Sequence, residues 1–465
     1  MLSIKKFFLT VSLVLIVLAA TFFLLHPLRK QDFDFSGYNI IFVSFDALQA
    51  AHTSCLGYFR KTTPAIDEFA AKGFLFNQAI SQASWTVPAT MSWFTALYPS
   101  EHGVVNKYSE YTEGKKVLAN LSKLSPGVIT LAEILKENGY TTAGFTGDAG
   151  VSAKFGFGKG FDVYIDDKKF SGFDYSVPLA IQWLRVNKDK KFMMFLHGYD
   201  SHGQYDPAEG YKKIFLDFNY KGELKGNKEE QGRLREEGLS RGYIDLKDED
   251  VKFWRALYDE KIYDANQRFK VFVDELNKLG LLKKTIIILT SDHGTEFYEH
   301  RRFDHGFSLY DELIHVPLVI YLPGVEGKKV IKEQVRGIDL MPTILDLLKI
   351  NIKGEVKKQM KGKSLVPLLK GRHMELDAFA ETDYRLYTHK RAIRTADGWK
   401  FIYSLEDGKK ELYNLNNDPQ ERSNLVDVEQ IKAYELEQRL FFWLKSMQTD
   451  ISSHGNIKES MIREY

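Results

Sequence analysis

Cysteine is almost absent from this chain of 465 residues, which contains only Cys55. A single thiol cannot form an intrachain disulfide, so a disulfide-stapled fold is excluded. The chain also lacks an excess of either charge, because 64 Lys and Arg residues stand against 62 Asp and Glu residues. Proteins that bind nucleic acid normally carry a basic excess. We therefore expect no nucleic-acid partner.

Long apolar runs are missing as well, apart from one at the start of the chain. Residues 7–25 are uncharged and apolar, and a helix of about 19 such residues can cross a bilayer core of roughly 30 Å. The bulky residues Phe22 and Phe23 stand where a cleaved signal peptide has small ones. The sequence therefore predicts an uncleaved single-pass membrane anchor within residues 1–30. The rest of the chain would then lie on the extracytoplasmic side, periplasmic or extracellular.

Several short apolar stretches alternate with helical patterns along the chain. The stretches lie at 38–48, within 127–147, and at 191–202, 285–294 and 316–324. Strands that alternate with helices favour a mainly parallel sheet covered by helices on both faces. The sequence therefore predicts an α/β fold.

The rest of the chain divides into two parts of different character. Residues 31–375 carry the strand and helix pattern, interrupted at 221–250 by a charged, glycine-rich segment that we interpret as a solvated insertion or lid, with plain surface preferred. In residues 376–465, two strand-like runs separated by Glu406-Asp407-Gly408 predict a hairpin. A helix is expected from about Val428 to Met447. This end is predicted to be a small α+β subdomain packed on the main sheet.

Side chains able to bind metals or carry protons follow the predicted strands. They include Asp46, His197, Asp200, His202, Asp292 and His293. Ligands of such sheets bind beyond the carboxyl ends of the strands. Carboxylates and imidazoles suit Zn²⁺, Mn²⁺, Mg²⁺ or Ca²⁺, and an adjacent Asp-His pair after an apolar strand is costly to bury without a ligand. The sequence predicts one divalent metal ion on Asp46, Asp292 and His293.

Thr86, in "SWTVPATMSW", is the candidate nucleophile. A threonine hydroxyl is rarely ionised at neutral pH, but a metal ion touching the oxygen would lower its pKa and hold it in line with a bound ester. In the alternative interpretation, Thr86 only caps the helix that follows Pro88. The two can hold together, because a helix N-terminus also favours an anionic group such as sulfate or phosphate.

The sequence resembles the sulfatase family within the alkaline phosphatase superfamily. Seven stretches in family order carry the resemblance from about residue 38 to 425: "NIIFVSFDAL", "TTPAIDEFAAKGFLFNQA", "TVPATMSWFTALYPSEHGVVN", "LAEILKENGYTTAGFTG", "FLHGYDSHGQYDP", "SDHGTEFYEHRRFDHGFSLYDELIHVPLVIYLPG" and "ELYNLNNDPQERSNL". The resemblance implies a large, mixed, mostly parallel sheet between helices, with a small C-terminal sheet.

The resemblance also implies a role for each matching side chain. Asp46, Asp292 and His293 take the metal-ligand positions, and Thr86 takes the nucleophile position, which also contacts the metal. The remaining matches are assigned to the substrate. They are His202, which contacts the ester or helps the leaving group depart; His305, which neutralises a substrate oxygen; Asn106, a polar contact to the transferred group; and the weaker candidates Lys107 and His197.

Three departures from the family pattern bear on the chemistry. Typical sulfatases have Cys or Ser, any residue, Pro, any residue and Arg, and oxidise the first residue to formylglycine. Here the first position is Thr86 and the last is Thr90, so formylglycine is not expected. Ala47 replaces a second early Asp, which argues against a Ca²⁺ site of the typical form. The remaining set resembles membrane-anchored phosphoethanolamine and phosphoglycerol transferases, whose nucleophile is a metal-bound Thr.

Three functions remain open from the sequence. The first is a hydrolase for sulfate or phosphate esters of a small molecule, glycan or lipid. The second is a phosphotransferase that acts on envelope lipids or glycans. The third is an inert family member that binds anionic ligands, and the intact metal-ligand set Asp46, Asp292 and His293 counts against it.

Overall fold

The structure is a computed structural model that describes residues 33–105, 110–112, 115–117, 123–147, 150–168, 170–203, 214–217, 219–352, 354–384 and 388–450. The anchor predicted within residues 1–30 lies outside this range. Among the residues that are described, no helix combines the length and apolar character needed to cross a membrane.

The secondary structure of these residues alternates strands and helices over most of the chain. The strands, numbered in chain order, are β1 Asn39–Phe45, β2 Phe74–Ile80, β3 Glu110–Thr112, β4 Lys115–Val117, β5 Thr141–Phe145, β6 Val163–Ile165, β7 Phe192–Gly198, β8 Thr285–Ser291, β9 Glu296–Phe297, β10 Phe303–Asp304, β11 His315–Tyr321, β12 Lys329–Arg336, β13 Ala378–Tyr384, β14 Thr388–Arg394, β15 Trp399–Ser404 and β16 Lys410–Asn414. The α-helices are Pro64–Ala70, Thr86–Thr95, Pro99–His102, Leu131–Glu137, Phe173–Asn187, Lys228–Arg241, Asp248–Lys278, Asp311–Ile314, Leu340–Leu347, Gly354–Gln359, Val366–Leu369 and Gln430–Asp450.

Eight strands form the main sheet, in the order β12-β2-β11-β8-β1-β7-β5-β6. Strand β1 pairs in parallel with β7 and β8, and β7 continues in parallel to β5 and β6. Strand β11 runs antiparallel to both of its neighbours, β2 and β8. The prediction of a mixed, mostly parallel sheet is confirmed.

Strand β1 shows why the sheet is covered on both faces. All seven of its residues are buried, as expected for a continuous apolar run in a central parallel strand. Ile40 and Phe42 pack into one core with the helices Thr86–Thr95 and Leu340–Leu347. Ile41, Val43 and Phe45 face the other core, which contains the helices Phe173–Asn187 and Asp248–Lys278. The alternation of side chains along the strand thus builds two cores.

The C-terminal part forms an antiparallel sheet of four strands, β13-β14-β15-β16. Strands β15 and β16 make the predicted hairpin around Glu406-Asp407-Gly408. The helix Gln430–Asp450 packs on this sheet through Leu436, Leu440 and Trp443. The predicted C-terminal sheet is confirmed, and its helix begins and ends two to three residues later than the sequence indicated.

Strand β13 joins this small sheet to the main domain. Its Glu381 bridges Ala83 in parallel, and the Glu381 amide donates a hydrogen bond to the carbonyl oxygen of Gln82 at 2.9 Å. The hydroxyl of Thr382 donates to the carbonyl oxygen of Gly306 at 2.5 Å. One strand therefore contacts both the segment before Thr86 and the segment after His305.

The charged segment 221–250 differs from its prediction as plain surface. It contains the helix Lys228–Arg241, in which Gln231 and Leu234 are buried. Leu234 packs into the second core. Because the helix packs on the core through few residues, its sequence shows no apolar stripe. The segment therefore has the composition of surface.

Candidate active site

Asp46 and Asp292 lie side by side because they end neighbouring strands in the same register. The last residues of β1 and β8, Phe45 and Ser291, are partners across the parallel pair. The next residue in each chain segment is an aspartate, and His293 follows Asp292. The ligand atoms of Asp46, Asp292 and His293 all lie within 4.8 Å of one another. The structure thus brings the three predicted metal ligands together.

The oxygens of this cluster suit a cation. Both carboxylate oxygens of Asp46 and the Oδ2 atom of Asp292 are buried, and none accepts a hydrogen bond from any described residue. Burial raises the pKa of Asp46, and the neighbouring Asp292 raises it further. Two adjacent carboxylates without a counter-charge are costly to bury. A divalent cation placed among these oxygens would remove that cost.

His293 presents its Nε2 atom to the same point. Its Nδ1–H donates to the carbonyl oxygen of Gly294 at 2.6 Å, a bond that assigns the free lone pair to Nε2. That atom lies 3.5 Å from Asp46 Oδ1 and 3.6 Å from Asp292 Oδ2. Burial lowers the pKa of His293, which favours the neutral ring that a metal ion requires.

Backbone groups fix the direction of Asp292 and the path of the loop. Asp292 Oδ1 accepts hydrogen bonds from the amides of Ala47 at 3.1 Å and His293 at 2.9 Å, so Oδ2 is left to face the cluster. A Cβ atom at Gly294 would collide with the carbonyl oxygen of Glu312. Glycine therefore lets the loop after His293 pass close to the backbone of Glu312.

Thr86 lies in the first turn of its helix and faces the metal-ligand cluster. The helix begins at Thr86 itself, and Trp85 occupies the cap position. This differs from the alternative in which Thr86 caps the helix. The Oγ1 atom of Thr86 lies 3.3 Å from His293 Nε2. A hydroxyl, two carboxylates and an imidazole thus converge, at the end of a helix where backbone N–H groups are unsatisfied.

Two further histidines surround this point. The ring centroid of His305 lies 4.3 Å from that of His293 and 4.7 Å from that of His202. The ring of His202 stacks on Tyr199, with 4.1 Å between centroids. The structure therefore places both predicted substrate-contacting histidines next to the cluster.

The other predicted residues are placed differently. His197 is fully buried, with Nε2 3.3 Å from Asp46 Oδ2 and Nδ1 3.1 Å from Ser44 Oγ. This position fits the orientation of Asp46 better than direct substrate contact. Asn106 and Lys107 lie outside the described residues. Asp200 turns away and accepts a hydrogen bond from the amide of Phe173 at 2.7 Å, at the start of a helix.

A second group of acidic and imidazole side chains, Glu296, His300 and Glu312, has the wrong donor set for a metal ion. The His300 ring makes two hydrogen bonds, from Nδ1 to Glu312 Oε1 at 2.6 Å and from Nε2 to the carbonyl oxygen of Glu421 at 3.0 Å. Burial opposes protonation, but the bond to Glu312 outweighs it and raises the pKa of His300 to about 9. A doubly protonated ring has no lone pair for a metal. His300 and Glu312 therefore form an ion pair, which holds the loop between β9 and β10.

A cavity of about 1330 Å³ lies between the main domain and the C-terminal sheet. His52, Arg60, Glu312, Arg394 and Asn416 are among its lining residues, whereas Asp46, Thr86 and His293 are not. The chemistry of the convergent cluster, and not the volume of this cavity, therefore identifies the candidate site.

Comparison with known protein families places the chain. Residues 38–350 match the family model described as Sulfatase, and residues 298–449 match one described as N-sulphoglucosamine sulphohydrolase, C-terminal. The arylsulfatase of Clostridium perfringens is 28% identical over 256 residues, 53% of this chain and 52% of the relative. Human arylsulfatase K is 29% identical over 229 residues, 46% of this chain and 41% of the relative. The chain spans about half the length of these curated relatives or less.

Solved structures share the fold. A protein in complex with its substrate D-glucosamine-2-N,6-O-disulfate gives a TM-score of 0.70 at 20% identity, covering 90% of this chain and 100% of that one. A 2-O GAG sulfatase gives 0.69 at 20% identity over 90% and 94%. The phosphonate monoester hydrolase of Agrobacterium radiobacter gives 0.69 at 19% identity over 91% and 98%. Because the Sulfatase family model matches more than half of the residues of this chain, the chain belongs to the sulfatase family.

Proposed function

We propose that this protein is a metal-dependent hydrolase of sulfate or phosphate esters that uses Thr86 as its nucleophile. The observation that carries the proposal is the 3.3 Å distance between Thr86 Oγ1 and His293 Nε2, within the cluster that includes Asp46 and Asp292. The family supports ester cleavage, since curated relatives are named arylsulfatases. A structural relative named phosphonate monoester hydrolase keeps phosphorus esters open.

Asp46, Asp292 and His293 would hold the cation, because their buried oxygens and the Nε2 lone pair face one point. When bound, a divalent cation lowers the pKa of a hydroxyl it touches and withdraws charge from ester oxygens. The identity of the metal, among Zn²⁺, Mn²⁺, Mg²⁺ and Ca²⁺, is part of the test below.

The residues of the chain divide the reaction into two displacements. In the first, Thr86 Oγ1 loses its proton to solvent and forms a bond to the phosphorus or sulfur, the bond to the bridging oxygen breaks, and His202 donates a proton to the leaving alcohol. His305 stabilises the negative charge on the non-bridging oxygens. In the second, His202 takes a proton from water, the water oxygen bonds to the phosphorus or sulfur, and the bond to Thr86 Oγ1 breaks. Phosphate or sulfate leaves, and Thr86 Oγ1 regains a proton from solvent.

The choice of threonine favours phosphorus over sulfur. An alkyl sulfate ester on an enzyme hydrolyses slowly, and formylglycine in typical sulfatases avoids that problem. Thr86 cannot form formylglycine, whereas phosphate esters of threonine serve as intermediates in transferases. Sulfated glycans remain the class to test on the sulfur side, because a structural relative was solved with a glucosamine disulfate.

A phosphotransferase is the second candidate. Thr86 as nucleophile and the apolar run at residues 7–25 favour it, since a membrane-anchored enzyme meets envelope lipids and glycans. In this case a lipid or glycan hydroxyl, and not water, would accept the group from Thr86. The two functions share the first displacement and differ only in the acceptor.

The membrane anchor at residues 1–30 and the extracytoplasmic location are part of the proposal. The apolar run at residues 7–25 supports them. The full chain and a chain that begins at residue 31 should therefore separate on fractionation, the first with membranes and the second without. Protease added to cells from which any outer membrane has been removed should degrade the full chain. Recovery of the full chain in the soluble fraction would contradict the anchor.

The deciding experiment combines metal analysis with assays on an aryl sulfate, a phosphate monoester and a phosphodiester, each with and without an acceptor alcohol. We expect one divalent metal ion per chain, turnover of at least one ester, and a covalent adduct on Thr86 by mass spectrometry. Thr90→Val, one turn further along the same helix, is the matched control for Thr86→Ala. Full turnover by Thr86→Ala would refute the nucleophile, and a metal-loaded wild type inactive on all three esters would favour the inert alternative.

A further inference from the structure

The helix Lys228–Arg241 contacts residues that adjoin both candidate catalytic histidines in the sequence. Gln231 and Arg235 are four residues apart and therefore share one face of the helix. Arg235 contacts the residue before His305, and Gln231 contacts the residue after His202. The rings of these two histidines lie 4.7 Å apart. One helical face thus spans the pair.

The contact to His305 passes through Asp304. Arg235 Nη1 donates to Asp304 Oδ2 at 3.3 Å, and Asp304 Oδ1 lies 2.6 Å from His305 Nδ1. The side chain of Asp304 is only 5% exposed. Burial on its own would raise the pKa of Asp304, but His305 and Arg235 outweigh it and hold the pKa below its usual range. The carboxylate is therefore charged and has a cationic partner on the side away from His305.

The carboxylate of Asp304 also acts on the backbone beside it. Asp304 has a φ of +85°, in the left-handed region that aspartate tolerates better than most residues because its short side chain can bond locally. The amide of His305 donates to Asp304 Oδ1 at 2.9 Å, so the same carboxylate holds both the ring and the backbone of His305. Arg235 holds the second oxygen of that carboxylate.

The contact to the His202 loop is steric. Gly203 follows His202, and a Cβ atom at this position would collide with the side-chain amide nitrogen of Gln231. Gln231 is 6% exposed. The loop that carries His202 therefore packs directly against the helix that carries Arg235.

We propose that Arg235 is a positioning residue for the ester-cleaving reaction: through Asp304 it fixes the ring of His305 relative to Thr86, and the helix Lys228–Arg241 completes the site from outside. The inference rests on the proposed function. With Nδ1–H donated to Asp304, the Nε2 atom of His305 is the one available to a substrate oxygen. A catalytic group that is held before reaction stabilises developing charge without reorganisation.

The test compares Arg235→Gln with Arg233→Gln in the full-length, metal-loaded protein. Arg233 lies on the same helix, is exposed, and pairs only loosely with Glu237 at 3.8 Å. On whichever ester the wild type cleaves, we expect Arg235→Gln to lower kcat by roughly 10-fold with a smaller change in KM. We expect Arg233→Gln to leave both constants unchanged. Arg235→Lys, which keeps the charge, should recover most of the loss.

A second readout is independent of turnover. In the spectrum of protein labelled with ¹⁵N-histidine, the ring signals of His305 are those lost in His305→Gln. Arg235→Gln should shift the Nδ1–H signal of His305, and Arg233→Gln should not. Unchanged His305 signals would overturn the proposal, even if kcat and Tm both fell. A shifted signal in a protein that cleaves no ester would refute the proposed function and leave the positioning role standing.

Discussion

Thr86 Oγ1 and His293 Nε2 lie 3.3 Å apart, although 207 residues separate them in the sequence. Thr86 begins a helix that follows β2, and His293 follows β8. Each residue is fixed by its own element, because the helix is wholly buried and the His293 ring is bonded to Gly294. Their contact therefore belongs to the rigid part of the fold.

Replacement of Thr86 tests the nucleophile. We expect Thr86→Ala to lower kcat/KM by roughly 10³-fold or more, since loss of a covalent nucleophile has effects of that size or larger. Thr86→Ser keeps a hydroxyl and should retain part of the activity. Both variants should keep their metal, because Asp46, Asp292 and His293 remain. Steady-state kinetics and metal analysis on the same samples check the prediction, and a serine variant as inactive as the alanine variant would contradict it.

Removal of the metal tests the cluster of buried carboxylates. Chelation should lower Tm, because a metal ion at a free concentration of 100 times its Kd stabilises the folded protein by about 2.7 kcal/mol. Without metal, Asp46→Asn should be more stable than the wild type, since it removes one of two adjacent buried carboxylates. Added Zn²⁺ or Mn²⁺ should then raise the Tm of the wild type and not that of the variant.

Asp189→Asn is the control for this prediction, because Asp189 is exposed in a turn far along the chain from the cluster. It should respond to chelation and to added metal as the wild type does. A Tm that rises equally with metal in Asp46→Asn would show that the ion binds elsewhere.

Thr90 provides a test of an unsatisfied hydroxyl. Its Oγ1 atom is buried and makes no hydrogen bond to any described residue, and a group left in that state costs about 1–3 kcal/mol. Thr90→Val keeps the shape and removes the hydroxyl. We expect the variant to be as stable as the wild type or more stable by about 1 kcal/mol, measured by urea unfolding. A loss of stability would mean that the hydroxyl has a partner in solution.

His102 makes the stability of the nucleophile helix sensitive to acid. Its Nε2–H donates to the carbonyl oxygen of Pro88 at 3.2 Å, and its Nδ1 accepts from the amide of Val104 at 3.1 Å. The buried ring is therefore neutral, and burial lowers its pKa from 6.5 to about 3. In the unfolded chain, His102 binds a proton below about pH 6.5. In the folded chain, it stays neutral until a much lower pH. This contribution to stability is present above pH 6.5 and is lost as the pH falls toward 3.

His102→Gln measures that contribution. The glutamine variant lacks the titrating group, so its free energy of unfolding should lose less on acidification than that of the wild type. The difference between the two proteins should shrink by up to about 1.4 kcal/mol per pH unit when urea unfolding is followed from neutral pH downward. A difference that stays constant with pH would show that His102 has the same pKa in the folded and the unfolded chain.

The centre of the candidate site could be predicted from the sequence because it follows from strand ends. Asp46 and Asp292 each come directly after an apolar run, and parallel strands in register bring such residues to one edge of a sheet. The main sheet followed from the same alternation of strands and helices. Asp200 satisfied the same pattern and yet binds the amide of Phe173, since a carboxylate at a strand end can equally begin a helix.

The outer part of the site could not be predicted. Arg235 lies in a segment whose composition is that of solvated surface, and its helix packs on the core mainly through Leu234. Nothing in the local pattern of charges distinguishes Arg235, which contacts Asp304, from Arg233, which is exposed. Pairs of this kind depend on the distance between loops in the folded chain, and that distance leaves no periodic signal in the sequence.

The contacts of strand β13 with two distant loops limit how this protein can be truncated or recombined. Its Glu381 pairs beside Ala83, three residues before Thr86, and its Thr382 is bonded to Gly306, next to His305. A shortened copy that ends near residue 375 would lose the support of both loops at once. Exchanging the C-terminal segment with that of a relative would for the same reason alter reactivity as well as shape, so the two parts have to be engineered as a single unit.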